Sequence, residues 1–410
     1  MTTFNALITD AHLRQSLVTV RSLGRRGLSV AALATSTDVP AFSSRWCDYG
    51  FVCPAEQGTD AYVAYLEELL ARTRPPVLIP TDDSTIAAVR QHRARLERYT
   101  CLALADEPAM TTAVNKELTL ATARRVGVHV PRCLTVNTIT EIPNALKEIG
   151  LPAVVKPSES WRQGDHLGVR KGPQLVTTAD EARRAVAEII GFGGAALCQP
   201  LLTGRREAVS FLYAHGEVHA RFAQWTKRTI PPLGGTSVLR QSIAVPPDIG
   251  NQAERLVREL DLEGYSEIEF RRDRAGVPYL MEINARLSAS VEVAVRAGVD
   301  FPYLLYQWAS GARIDKVTSY RVGGWMRYLQ GDVMTTLAAF KQRGRPGVSS
   351  PVRAVLGFGL SFLRPMDYDF FDWRDPVPAV RAMSDFIRDL RRSSMNKARR
   401  TLVGLRRSSL

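Results

Sequence analysis

Cysteine and histidine are scarce in this chain of 410 residues, which contains five cysteines and six histidines. No two cysteines form a CxxC pair, and no two histidines stand at HExxH spacing. The sequence therefore gives no support to a zinc site or a disulfide framework, and we expect reduced cysteines. A G-x-G-x-x-G motif is also missing after the first strand pattern, so nothing indicates a nicotinamide dinucleotide.

Long apolar runs are absent as well. The run 354–363 is among the longest, and it falls well short of the roughly 20 residues that a membrane-spanning helix needs. The N-terminal residues lead directly into a short apolar strand, without the basic and hydrophobic regions of a secretory signal. We therefore expect no membrane span and a cytoplasmic location.

The net charge of +13 is unevenly distributed. Residues 381–410 carry nine Lys or Arg against two Asp, so more than half of the excess lies in this tail. A solvated basic terminus is the simplest interpretation. Weak contact with an anionic membrane surface or a partner is the alternative, because Leu402, Val403 and Leu405 alternate with arginines. Few aromatic residues accompany these cations, so we expect no specific nucleic-acid binding.

Strand and helix patterns alternate along the N-terminal part of the chain. Residues 4–9 and 28–34 are typical of buried strands, and the amphipathic segment 13–23 between them is typical of a helix. The alternation continues to residue 104. It predicts an α/β fold with a parallel sheet that is covered by helices on both faces.

A second pattern predicts a β-hairpin over residues 265–286. If Ala275 and Gly276 are the central turn residues, Glu269 lies opposite Glu282 and Glu267 lies opposite Asn284. Like charges directly across a strand pair are destabilising, so this pairing needs a compensating charge. A Mg²⁺ ion bound by oxygen atoms is one candidate. The alternative is an exposed acidic strand face that Arg271 or Arg286 neutralises.

With this hairpin and its Glu-Ile-Asn-Ala-Arg motif (282–286), the chain resembles the ATP-grasp superfamily, in particular its carboxylate–amine ligase-like branch. The resemblance covers roughly residues 4–315. It implies an α/β ATP-grasp fold with an N-terminal parallel-sheet pre-ATP-grasp domain. The implied domains are 1–105 for this domain, 106–315 for the ATP-grasp domain with a lid at about 128–200, and 316–410 for a C-terminal region with the basic tail.

The resemblance also implies how ATP is bound. Lys116 and Lys156 match the two family lysines that contact phosphates, and the glycine-containing stretch 158–172 resembles the loop that covers them. The segment 198–207 resembles the hinge that lines the adenine. Its implied ATP-binding residues are Gln199, Leu201, Leu202 and, on the ribose hydroxyls, Glu207. The family often has Glu where this chain has Pro200, so one side-chain contact to adenine is lost.

The remaining implied roles concern metal and catalysis. Glu269, Glu282 and Asn284 would hold Mg²⁺, with Mn²⁺ as an alternative. The implied catalytic residues, which would steady an acyl phosphate, are Arg286 together with Lys227 or Arg228.

The resemblance implies an ADP-forming ligase that activates a carboxylate as an acyl phosphate and joins it to an amine. Its expected partners are small molecules, such as an amino acid or a small peptide; the oligomeric state stays open, with a homodimer as one expectation. Two alternatives also remain open. One is ATP-grasp chemistry of another kind (a carboxylase, an acyl-CoA or thiol ligase, or a kinase), and the other is a non-catalytic nucleotide-binding partner protein.

Overall fold

The computed structural model describes residues 3–53, 58–159, 161–162, 169–232 and 234–407. These residues build three main sheets. Within the stretch 158–172, for which the sequence predicts a phosphate-covering loop, residues 160 and 163–168 lie outside the described residues. Within the described part of the chain, no helix is both long enough and apolar enough to cross a membrane.

The first sheet contains five parallel strands. Its strands and helices are β1 (Ala6–Ile8), α1 (Arg14–Arg25), β2 (Val30–Ala34), β3 (Tyr49–Val52), α2 (Thr59–Thr73), β4 (Val77–Ile79), α3 (Asp83–Gln91), α4 (Arg93–Leu96) and β5 (Cys101–Leu102). The strand order is β3-β2-β1-β4-β5. All residues of β1, β2 and β4 are buried, as apolar strands in a sheet covered on both faces must be. The predicted parallel sheet is confirmed.

A second, antiparallel sheet follows. The elements of this region are α5 (Glu107–Val114), α6 (Lys116–Arg125), β6 (Leu134–Val136), α7 (Ile142–Ile149), β7 (Ala153–Pro157), β8 (Trp161–Arg162), β9 (Val169–Arg170), β10 (Gln174–Val176), α8 (Ala179–Ile190) and β11 (Ala196–Pro200). The sheet has the order β10-β7-β11-β6, while β8 and β9 pair only with each other. Its apolar core is separate from the other two cores, because α7 and α8 cover it with their own buried residues.

The third sheet has seven strands and includes the predicted hairpin. Its strands and the helices that accompany them are β12 (Arg206–Ala214), β13 (Glu217–Ile230), β14 (Thr236–Ile243), α9 (Pro247–Glu259), β15 (Gly264–Arg272), β16 (Pro278–Asn284), α10 (Glu292–Ala297), α11 (Phe301–Ala309), β17 (Trp325–Arg327), α12 (Leu329–Lys341), α13 (Pro351–Leu360), β18 (Asp367–Tyr368) and α14 (Val377–Arg407). The order is β16-β15-β12-β13-β14-β17-β18. Strands β17 and β18 therefore extend this sheet from within the predicted C-terminal region. The domain boundaries drawn from the sequence stay predictions.

Buried ion pairs connect the C-terminal segment to the first and third sheets. Asp369 accepts hydrogen bonds from Arg14 of α1 at 2.7 Å and from Arg240 of β14 at 3.1 Å. Asp375 accepts one from Nε of Arg21 at 2.9 Å. Burial alone would raise the pKa of Asp369, but Arg240 and Arg14 lower it below its usual value. One carboxylate thus joins two sheets.

Replacing Asp369 with Asn should destabilise the protein strongly. The change preserves volume but leaves Arg14 and Arg240 buried without their counter-charge, so we expect the free energy of unfolding at pH 7 to fall by about 3–5 kcal/mol. Urea unfolding followed by circular dichroism measures this loss. Asp367→Asn is the matched control, because the Asp367 side chain is 41% exposed and lies 3.9 Å from Arg321. Equal losses of unfolding free energy in both variants would contradict the role of Asp369 as the counter-charge of Arg14 and Arg240.

Candidate functional site

The two acidic strands pair in the predicted register. Glu269 of β15 lies opposite Glu282 of β16, and Glu267 lies opposite Asn284. The Asn284 side-chain amide donates to Oε1 of Glu269 at 3.2 Å. Two carboxylates and an amide oxygen therefore lie close together on adjacent strands.

The turn that produces this register differs from the predicted one. Next to the turn, Arg272 pairs with Pro278 and the Asp273 N–H donates to the Val277 carbonyl at 2.9 Å, so residues 274–276 form a three-residue loop in place of the pair Ala275 and Gly276. This change alone would shift every pair by one residue. A bulge at Met281 compensates, because β16 contains one extra residue between the partners of Phe270 and Glu269.

Arg206 forms an ion pair with one of the paired acids, a contact that no sequence pattern indicated. Its Nε donates to Oε2 of Glu269 at 2.9 Å. Burial raises the pKa of Glu269 to about 7, which Arg206 opposes and the neighbouring Glu282 and Glu267 reinforce. Arg286 forms an ion pair with Asp83 instead. Burial outweighs the attraction of Arg206 and leaves the pKa of Glu269 raised, so a further cation beside this carboxylate would favour its ionised form.

Glu267 serves a structural role beside these acids. Its Oε2 accepts hydrogen bonds from Gln224 at 2.7 Å, from Ser288 at 3.0 Å and from Ser290 at 3.3 Å.

The described residues contain no group of three or more His, Cys, Asp or Glu side chains arranged to hold a metal ion. The donor set here is two carboxylates and one amide. It suits Mg²⁺, which usually takes one or two carboxylates and completes its shell with phosphates and water.

The two predicted phosphate lysines are buried close to each other. Lys116 begins α6, whose N-terminus is capped by the Asn115 side chain. Lys156 lies on β7, and its Nζ is 3.4 Å from the Met281 carbonyl oxygen at the bulge. Burial and, to a smaller extent, the charge on Lys116 lower the pKa of Lys156 to about 8, while Glu282 opposes this shift. Two such ammonium groups favour an anion between them.

A cavity of about 680 Å³ brings these groups together. Nine of the twelve residues singled out in the sequence line it, namely Lys116, Lys156, Gln199, Leu201, Leu202, Glu269, Glu282, Asn284 and Arg286. Buried Nε2 of Gln199 has no hydrogen-bond partner among the described residues. Leu201 donates its backbone N–H to the Pro152 carbonyl at 3.3 Å, so that group is already engaged.

The other three predicted residues are outside the cavity lining. Glu207 is buried and forms ion pairs with Arg272 at 2.6 Å and Arg205 at 3.0 Å. Arg228 donates to Asp332 at 2.6 Å, and the Lys227 ammonium lies over a tryptophan ring. Their predicted roles with ribose and acyl phosphate stay predictions, and Glu207 would have to exchange partners to contact a ligand.

The first sheet contributes one wall of the cavity. His12, Arg14 and Gln15 follow strand β1, and Asp82 follows strand β4. These two strands are neighbours at the point where the strand order reverses. Ligands of open α/β sheets bind outside the carboxyl ends of strands at such a switch point. No motif indicates these residues, but the alternating strands and helices could have located them, because they follow the carboxyl ends of predicted strands.

The fold and the cavity define an α/β protein of the ATP-grasp class, and comparisons with known proteins agree. Residues 195–331 match the family model described as "ATP-grasp in the biosynthetic pathway with Ter operon". The L-amino acid ligase from Bacillus licheniformis superimposes with a TM-score of 0.62 at 17% identity, covering 78% of this chain and 79% of that one. Biotin carboxylase from Campylobacter jejuni superimposes with a TM-score of 0.63 at 15% identity, covering 78% and 74%. The resemblance to the ATP-grasp superfamily is confirmed.

Sequence relatives cover only parts of the chain. The carbamoyl phosphate synthase large chain of Methanospirillum hungatei is 26% identical over 212 residues, which are 48% of this chain and 19% of that protein. The D-alanine–D-alanine ligase of Nitrosospira multiformis is 23% identical over 208 residues, 48% of this chain and 66% of that one. This chain thus spans about a fifth of the carbamoyl phosphate synthase.

Replacing Lys156 with Met should stabilise the protein when no nucleotide is added. Because the Lys156 pKa falls from 10.5 to about 8 on folding, wild-type stability rises with pH between these values. We expect the variant to be more stable at pH 7, by on the order of 2 kcal/mol, and to lose this advantage toward pH 10. Urea unfolding at both pH values measures the difference. Lys147→Met, at an exposed lysine of α7, is the control. An advantage that does not vary with pH would rule out the electrostatic cause.

Proposed function

We propose that this protein is an ATP-dependent ligase that activates a carboxylate as an acyl phosphate, joins it to an amine, and releases ADP and phosphate. The observation that carries the proposal is the arrangement of charge in one cavity. Two buried lysines, Lys116 and Lys156, line this cavity together with the paired acids Glu269 and Glu282. A nucleotide polyphosphate bound with a divalent cation carries the complementary charges, because its phosphates would match the lysines and the cation would match the acids.

The nucleotide would lie with its phosphates on Lys116 and Lys156. Its base would lie against Leu201 and Leu202, with the Gln199 amide as an available donor. Glu207 would bind the ribose hydroxyls only if it released Arg272 or Arg205. Since Leu201 already uses its N–H, its contribution to the base would come from its carbonyl or side chain.

Glu269, Glu282 and Asn284 would hold Mg²⁺ or Mn²⁺, and the metal would neutralise charge on the transferring phosphoryl group. The raised pKa of Glu269 supports this role, because a bound cation would favour its ionised form. Arg206 holds the same carboxylate in position.

The acid and the amine would bind where the first sheet meets the hairpin. Arg286, fixed by Asp83, lines the cavity there together with His12, Gln15 and Asp82. Such a mixture of cationic, neutral and anionic groups suits a substrate that carries both a carboxylate and an ammonium group. We therefore propose an amino acid or a small peptide as a substrate.

The proposed reaction has two steps. A carboxylate oxygen of the acid attacks the γ-phosphorus of ATP, ADP leaves, and the carboxyl group becomes a good electrophile. The amine then attacks the acyl carbon, phosphate leaves, and a proton is lost from the nitrogen. Arg286 would stabilise the charge on the acyl phosphate. Similarity to a biotin carboxylase makes carboxylation the second candidate, with bicarbonate as the acid.

ADP release tests the proposal directly. The wild-type protein should release ADP and phosphate only when a carboxylic acid and an amine are present together. Hydroxylamine in place of the amine should yield a hydroxamate, which reports the acyl phosphate. Release with bicarbonate alone would favour carboxylation, and no release across amino-acid pairs would contradict the ligase.

Glu282→Gln should lower the rate of ADP release at least about a hundredfold, because the metal would lose a ligand. Glu217→Gln is the matched control, since the Glu217 side chain is 65% exposed and far along β13 from the cavity-lining residues. Unchanged ADP release by Glu282→Gln would sink the metal assignment.

A further inference from the structure

Helix α13 is apolar in sequence, yet none of its residues is buried. Leu356 and Leu360 are 58% and 61% exposed, and Leu363 in the turn that follows is 79% exposed. A helix that is apolar around most of its circumference normally lies in a protein core or in lipid. The outer face of α13 therefore lacks the partner that its composition indicates.

The neighbouring helix α12 extends this surface. Met334, Leu337 and Phe340 follow one another at helical spacing and are all exposed. Helices α12 and α13 pack against each other as a hairpin. We call the exposed apolar residues of this hairpin and the turn after it the α12–α13 face; they are Met334, Leu337, Phe340, Val352, Val355, Leu356, Leu360, Phe362 and Leu363.

The charged side chains of the segment that forms the α12–α13 face are all positive, and one of them, Arg345, is paired with Glu181 of α8 at 2.6 Å. Residues 333–366 contain no Asp or Glu, and they contain five cations, Lys341, Arg343, Arg345, Arg353 and Arg364. An apolar face bordered by Lys and Arg is the composition of segments that lie in the interface of an anionic bilayer. A second copy of this chain is a poorer occupant, because a twofold interface would bring the same cations of both copies together.

The inner side of the hairpin is firmly held. The Arg327 guanidinium lies 4.4 Å from the ring centre of Phe358 and 4.3 Å from that of Phe362. Arg228 donates to Ser361 at 2.8 Å and to Asp332 at 2.6 Å. These contacts hold the hairpin against the third sheet, and Phe362, which is 53% exposed, contacts Arg327 with part of its ring while the rest belongs to the α12–α13 face.

We propose that the α12–α13 face docks onto an anionic membrane surface, with its leucines and phenylalanines in the headgroup region and its cations against lipid phosphates. The hairpin lies in the plane of the interface and does not cross the bilayer. This docking is separate from the proposed ligase activity and from any contact of the basic tail.

Vesicle flotation tests the docking with the full chain. Wild-type protein should float with vesicles of phosphatidylcholine and phosphatidylglycerol and not with phosphatidylcholine alone. The triple variant Leu356→Ser, Leu360→Ser, Leu363→Ser should bind at least about tenfold more weakly, because it removes apolar area without changing charge. The matched control is the triple variant Leu118→Ser, Ile139→Ser, Leu151→Ser, which changes exposed apolar residues elsewhere and should bind like wild type. Circular dichroism of both variants verifies folding.

The other outcomes overturn the proposal. Equal vesicle binding by wild type and the α13 variant would assign the binding to the basic tail. Absence of vesicle binding by the wild-type protein would rule out a membrane as the partner of the α12–α13 face. A dimer in analytical ultracentrifugation that the α13 variant converts to a monomer, without vesicle binding by wild type, would make the α12–α13 face an interface between copies of this chain.

Discussion

The structure concentrates buried charges of both signs in one cleft, and much of its architecture follows from this constraint. Burial raises the pKa of Glu269 to about 7 and lowers that of Lys156 to about 8, which disfavours the charged form of each group. A ligand with complementary charges would oppose these shifts and stabilise the folded protein. No single element provides the cleft. Lys156 lies on the second sheet, the acids lie on the third, and the first sheet closes the side at Asp82.

Sequence patterns predicted the parallel sheet and the acidic hairpin because both depend on contacts between neighbouring segments. The hairpin register shows the limit of such reasoning. The position opposite Glu269 was right although the turn was wrong, since a three-residue loop and a bulge at Met281 shift the pairing in opposite directions. The bulge also brings the Met281 carbonyl toward Lys156. A local irregularity that no residue pattern indicates thus connects two sheets at the site.

Residues that depend on distant pairing could not be placed from the sequence. Because side chains alternate along a strand, Arg206 and Glu207 point to opposite faces of β12. Only the pairing of β12 with β15 decides that Arg206 contacts the acids and that Glu207 contacts Arg272. For Lys227 and Arg228 alternation itself fails, because β13 has register shifts on both sides of Arg228. The resemblance implied a catalytic role for Lys227 or Arg228, and in the structure Arg228 donates to Asp332.

The C-terminal segment had the weakest sequence pattern, yet it shapes the cavity. Arg14 lines the cavity from the first sheet, and its guanidinium lies between Asp369, at 2.7 Å, and the Tyr328 ring, 4.1 Å from the ring centre. Both partners come after residue 315. Because Asp369 also binds Arg240 of β14, the same carboxylate connects helix α1, beside the first sheet, to the third sheet. Hydrophobic periodicity in a sequence indicates apolar faces. The C-terminal segment is connected to the other sheets by isolated aspartates, so these contacts could not be predicted from periodicity.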